Sequence, residues 1–160
     1  MIEATKKIVK NLPNAEVFFV GTAGNGSGAN KWTEKIDDLG PRVHRASFDM
    51  SEMPDVYKDK DVCVIPTKGA EGTSLSCLEA MASGVPVVAS VVGGLPNLII
   101  DHYNGLLINP TPEEIFDAVN SINRYPEMAM AFAQSAYDVS LVHSIDHWNK
   151  RWQEVIQEVF

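Results

Sequence analysis

Apolar positions along this chain recur with two periods, and together they lay out a run of helices alternating with short strands. Ile2, Ile8 and Val9, with lysines between and beyond them, predict a helix over residues 2–11 that ends at Leu12-Pro13-Asn14. Residues 15–20 read as a strand, 31–39 as a helix stopped by Gly40-Pro41, and 42–46 as a second strand. A short helix over 52–58 leads into Val62-Cys63-Val64-Ile65, an apolar run with the length of a buried strand. After the loop Pro66-Thr67-Lys68-Gly69-Ala70, a helix over 74–83 carries Leu75, Leu78, Ala80, Met81 and Ala82, and Gly84 ends it. Residues 85–89 form the next buried strand, with Pro86 tolerated near its start.

A short helix over 95–100 and the turn signal Asn104-Gly105 precede a strand over 106–108. Thr111 caps a helix over 112–123 that opens on Pro112. The helix over 126–141 turns Met128, Phe132 and Ala136 toward the core. Ser144 caps a last helix with Trp148, Trp152, Val155, Ile156 and Val159 at helical spacing. The alternation predicts one α/β domain over residues 1–160, a parallel sheet of about five strands flanked by helices.

The chemistry concentrates between residues 62 and 89, where strand, Gly-containing loop, helix and strand follow in order. That unit presents free backbone N–H groups and the positive end of a helix dipole to an anion. Glu71 and Glu79 bracket the helix start; if the steps between them were all helical they would lie about 12 Å apart. A diphosphate at the helix N-terminus would have one carboxylate on either side, one for sugar hydroxyls and one for a ribose diol. A second reading stands beside it: Ser76-x-x-Glu79 as a capping box, with Glu71 merely favouring the helix N-terminus.

The stretch Glu71-Gly72-Thr73-Ser74 … Glu79-Ala80-Met81-Ala82-Ser83-Gly84-Val85-Pro86-Val87-Val88-Ala89 resembles the Glu-x7-Glu signature of the retaining glycosyltransferases of family 4. The likeness runs on through Gly93-Gly94-Leu95-Pro96 and Asn104-Gly105-Leu106-Leu107. It implies the C-terminal, donor-binding domain of a GT-B enzyme of two Rossmann-like domains. The function it implies is binding of a UDP- or GDP-linked sugar and, in the full-length protein, transfer of that sugar with retention of configuration. A non-catalytic nucleotide-sugar-binding module and a GT-B epimerase are the alternatives.

Carried onto this sequence, the resemblance makes Glu71 the catalytic residue. It makes Gly72, Thr73, Ser74, Leu75, Glu79, Lys68, Ser47, Gly93 and Gly94 donor-binding residues. Gly93 and Gly94 would let backbone approach ligand closely at a strand end. The loop from Ser47 to Met50 would pack against the base; the family's usual aromatic residue and glycine are replaced there by Arg45 and Ser47, which leaves the base open. The family also places a strand, a loop with an Arg and a Lys, and an N-terminal acceptor domain ahead of this region. None of these is present, so the resemblance implies a domain lacking its first strand, with a gapped sheet and Lys68 as the nearest cation to the phosphates. Any peripheral membrane association would run through the absent domain.

The net charge of −8 argues against nucleic acid or an anionic membrane as the main partner. It also means that an anionic donor must be bound by local amides and a few basic groups. Cys63 and Cys77, both in elements expected to be buried, suit a reduced, cytoplasmic protein. Gly24-x-Gly26-x-x-Ala29 is a weak dinucleotide-binding look-alike, too far from its strand for the tight turn that the fingerprint needs. His143 and His147 are four apart but have no third metal ligand in view, and a capping role fits them better. No cofactor or metal is expected, because no Asp-x-Asp follows a strand to hold a divalent ion on a diphosphate.

Overall fold

The computed structural model describes residues 1–21 and 29–159. Its elements are α1 (Ile2–Asn11), β1 (Val17–Val20), α2 (Ala29–Asp37), β2 (Val43–Ala46), α3 (Met53–Lys58), β3 (Cys63–Ile65), α4 (Leu75–Ala82), β4 (Val87–Ser90), a 3-10 turn (Leu95–Asn97), β5 (Leu106–Ile108), α5 (Pro112–Arg124), α6 (Pro126–Leu141) and α7 (Ile145–Val159). Gly24 and Gly26 of the dinucleotide look-alike lie outside the described residues.

All strand pairing between these elements is parallel, as the alternation of strands and helices requires. The five strands fall into two ladders, β1–β2 and β3–β4–β5, in keeping with the gapped sheet that the resemblance implies. The first aligns Val17 with Val43 and Val20 with Ala46. In the second, β4 is central, pairing Cys63 with Val87 on one side and Ser90 with Ile108 on the other.

Central position and short apolar sequence explain why every residue of β4 is buried. Successive side chains point to opposite faces. Val87 and Ala89 therefore join Tyr57, Cys77, Met81 and Ala136, in the layer made by α3, α4 and α6. Val88 joins Ala4, Ile115 and Phe132, in the layer made by α1, α5 and the first turns of α6. α1 packs on α5 and α4 packs on α6, so each face of the three-stranded ladder is covered by helices.

Beyond β4 the chain turns back on the buried amide of Asn104. Its Oδ1 accepts from the Ile100 N–H at 2.6 Å and its Nδ2 donates to the Leu98 carbonyl at 2.9 Å. Gly105 follows because a Cβ there would lie 2.6 Å from the Val87 carbonyl oxygen. Thr111 caps α5 as its position predicts, its hydroxyl accepting from the Glu114 N–H at 3.2 Å.

The last helix departs from expectation in its packing. Its apolar stripe forms, but no residue of α7 is buried, and Trp148 and Trp152 are 55% and 50% exposed. The Ser144 hydroxyl accepts from the His147 N–H at 3.2 Å, so the segment from His143 to His147 is a capped helix start. Among the described residues no group of three or more His, Cys, Asp or Glu side chains is placed to hold a metal ion. No helix among them is long and apolar enough to cross a membrane.

Candidate functional site

The site is built at the C-terminal ends of β3 and β4, where parallel α/β sheets place their ligands. Two loops leave there: residues 66–74 run from β3 to α4, and residues 91–94 run from β4 to the 3-10 turn. They are locked together through the backbone. The Gly94 N–H donates to the Glu71 carbonyl at 3.0 Å. A Cβ on Gly93 would lie 2.0 Å from that same carbonyl oxygen, and one on Gly94 would lie 2.4 Å from the Gly72 carbonyl oxygen. The close approach that these glycines permit is thus to the Glu71-Gly72 backbone, a partner the sequence does not name.

Gly93 has φ +58 and meets backbone; Gly84, which ends α4, has φ +69 and open space around it. Gly84→Ala should cost only the strain of a left-handed alanine, about 1 kcal/mol. Gly93→Ala must in addition displace the loop that carries Glu71, and should lose about 3 kcal/mol or more. Chemical denaturation of the two variants checks this; equal losses would mean that the loops are not coupled.

The N-terminus of α4 is open. Ser74 occupies the N-cap position without a side-chain capping bond, and the first turn holds no acidic residue. The first helical bond runs from the Leu78 N–H to the Ser74 carbonyl at 3.1 Å. The amides of Leu75, Ser76 and Cys77 consequently have no acceptor among the described residues. α5, by contrast, has its Thr111 cap and two acidic residues, Glu113 and Glu114, in its first turn. Gly72, Thr73, Leu75 and Ser76 are exposed around the open end, Leu75 at 66% despite being apolar.

The two carboxylates are each held by a hydroxyl. Glu71, half-buried, accepts from the Thr67 hydroxyl at its Oε2, 2.9 Å away. Ser90, fully buried at the end of β4, donates to the Thr67 carbonyl at 2.8 Å and lies 3.3 Å from the Ile65 carbonyl. Glu79 does not cap α4. The helix begins at Leu75, so Ser76 lies inside it and the proposed capping box has the wrong phase. Glu79 instead accepts at Oε2 from the Tyr57 hydroxyl, 3.3 Å away; that hydroxyl also lies 3.3 Å from the Ser76 carbonyl.

Burial raises the pKa of Tyr57 well above the usual phenol range, helped by the charges of Cys63 and Glu79. Burial, followed by the Glu79 carboxylate, pushes the Cys63 thiol up to about 12. Burial also leads for Cys77, with Cys63 and then Glu71 adding to it, again to about 12. Both cysteines are free thiols, Cys77 fully buried and Cys63 partly so.

Lys68 is exposed in the β3–α4 loop, near enough to the Met1 α-amino group to lower its pKa, an effect second to burial. Ser47 is exposed one residue beyond the end of β2, and no hydrogen bond joins it to Glu71 or Glu79. Reasoning from the sequence missed Thr67, Ser90 and Tyr57 as partners of the site. A hydroxyl four residues ahead of Glu71 in the same loop was a readable signal; nothing linked Tyr57 to Glu79 before folding.

Residues 1–139 match the family model described as glycosyl transferases group 1. The sulfoquinovosyl transferase SQD2 of Arabidopsis thaliana is 33% identical over 112 residues, which are 68% of this chain and 21% of that protein. A solved C-terminal domain of a glycosyl transferase group 1 family protein (LpcC) from Francisella tularensis superimposes with a TM-score of 0.77 at 28% identity, over 90% of this chain and 77% of that one. HepE from Anabaena, solved in complex with UDP-glucose, gives a TM-score of 0.80 at 23% identity, over 98% of this chain and 44% of that one. The chain spans between 20 and 39% of the length of the curated relatives it matches.

Proposed function

The chain belongs to the group 1 glycosyltransferases, and on that premise we propose that it is the donor-binding domain of a two-domain, retaining GT-B enzyme of family 4. It binds a UDP- or GDP-linked sugar, which the enzyme transfers to an acceptor. The observation that carries this reading is the open N-terminus of α4, with three unpartnered amides between Glu71 and Glu79. A diphosphate satisfies those amides and meets the positive end of the helix dipole. Glu79, one turn further on, holds the ribose diol. Glu71, ahead of the helix, holds the hydroxyls of the transferred sugar. Gly72, Thr73 and Ser74 shape the cradle, Leu75 supplies apolar contact, and Lys68 adds positive charge. Gly93 and Gly94 support the cradle from behind, and the loop of Ser47 receives the base. Two free thiols held in the protonated form suit a cytoplasmic setting.

Calorimetric titration of the chain with UDP-glucose, GDP-mannose and NAD tests the reading. One of the two nucleotide sugars should bind and NAD should not; binding of NAD alone, or of none, would overturn it. The diphosphate position has its own test. A Cβ on Gly72 meets no atom within 4 Å, so Gly72→Val should fold normally. Its side chain would stand at the mouth of the cradle, and diphosphate affinity should fall about tenfold. Native affinity in a folded Gly72→Val protein would move the phosphates elsewhere.

The amides and basic groups carry the diphosphate charge without a divalent ion. The single Asp-x-Asp, Asp59-Lys60-Asp61, enters β3 at the end of the strand opposite the site. Turnover by the two-domain enzyme should persist in chelator; loss that magnesium or manganese restores would refute this.

A further inference from the structure

We propose that Thr67 is a positioning residue for Glu71, aiming its carboxylate at the donor sugar, with Ser90 anchoring Thr67 from the end of β4. The proposal rests on the role given to Glu71 above. Glu71 lies in a loop, where a carboxylate has no helix or strand to restrict its rotamers. The Thr67 hydroxyl is its side-chain hydrogen-bond donor among the described residues, at 2.9 Å, and it occupies Oε2. Oε1 is left to accept from a ligand. Threonine suits this task because its branched side chain is stiff at χ1.

Thr67 is itself fixed. The Ser90 hydroxyl has one hydrogen and two backbone carbonyls in reach; the Thr67 oxygen, at 2.8 Å, is nearer than that of Ile65, at 3.3 Å. Ser90 thereby extends the register of β4 onto β3 one step past their ladder, which ends at the Ile65–Ala89 pair. The chain of restraint runs from a buried strand end, through the Thr67 backbone, to the Glu71 carboxylate. The Gly94 N–H on the Glu71 carbonyl secures the backbone of the same residue. Thr67 and Glu71 are both only half-buried, so water can replace their mutual hydrogen bond and its loss should hardly alter stability. What it alters is where the carboxylate points.

The test compares the affinity of the 160-residue chain for UDP-glucose with that for UDP, a ratio that isolates contacts to the sugar. Thr67→Val should cut this ratio about tenfold, leaving UDP affinity and melting temperature as in the native chain. Thr67→Ser, which restores the hydroxyl, should keep the native ratio. Glu71→Gln serves as the control on the underlying reading and should also collapse the ratio. If Glu71→Gln collapses it and Thr67→Val does not, the positioning role is wrong and the role of Glu71 stands. An equal loss of UDP and UDP-glucose affinity in Thr67→Val would mean a general disturbance of the loop, which also overturns the proposal. If Glu71→Gln keeps the native ratio, or the native chain binds both ligands equally, the reading of Glu71 fails and the inference falls with it.

Discussion

Glu79→Gln is expected to lower nucleotide affinity by one to two orders of magnitude, the worth of about 1.5–3 kcal/mol for hydrogen bonds to a charged acceptor. The substitution keeps the shape of the side chain. Its amide oxygen can still accept from the Tyr57 hydroxyl, so packing beneath the site should survive. What disappears is the negative charge that a ribose diol would donate to. The sharper measurement is therefore discrimination, not affinity. A 2′,3′-dideoxy nucleotide should bind the native chain much more weakly than the parent nucleotide, and should show little further loss in Glu79→Gln. Equal discrimination by the two proteins would remove Glu79 from the ribose. Tyr57, 8% exposed, makes the test clean, because it restrains the side chain in both proteins from the buried side.

How legible this was in the sequence varied with the range of the interaction. The bounds of α1, β5 and α6 agree with the pattern of apolar positions, because in each the periodicity and the flanking breakers point to the same residues. The caps at Thr111 and Ser144 were readable for the same reason: capping is a contact over three residues. Ser76-x-x-Glu79 shows the weakness of such signals. The spacing of a capping box is present, but the chain enters the helix at Leu75, two residues earlier than a helix capped by Ser76 would begin, so Ser74 takes the N-cap position and Ser76 lies inside the helix. The motif then points a carboxylate across the helix toward Tyr57.

Contacts between distant segments were not legible. Tyr57 and Glu79 meet only because α3 packs against α4. Ser90 reaches Thr67 only because β3 and β4 are neighbours. Gly93 and Gly94 were singled out correctly as places of close approach, yet their partner is the Glu71-Gly72 backbone, which no local pattern could name. The exposed stripe of α7 belongs to the same class. It depends on what packs against the helix, whereas periodicity reports only which face is apolar.

Glu71→Gln should have the largest functional effect. In the two-domain enzyme proposed above, it is expected to lower turnover by about two orders of magnitude or more, the scale seen when one preorganised electrostatic contact to a transition state is lost. Donor affinity should fall much less. The reason is differential binding: as the bond to the diphosphate breaks, the anomeric carbon becomes oxocarbenium-like, and a carboxylate beside the sugar gains in value only then. Such a contribution needs a carboxylate fixed before the reaction begins, and the Thr67 hydroxyl and the Gly94 N–H hold Glu71 at its side chain and its backbone. In the proposed retaining mechanism Glu71 is not a covalent nucleophile; the leaving diphosphate would assist the acceptor on its own face, and the product should keep the anomeric configuration of the donor. NMR of the product reads that configuration, and steady-state kinetics of Glu71→Gln reads the split between turnover and affinity. An inverted product, or a variant with native turnover, would remove the proposed role.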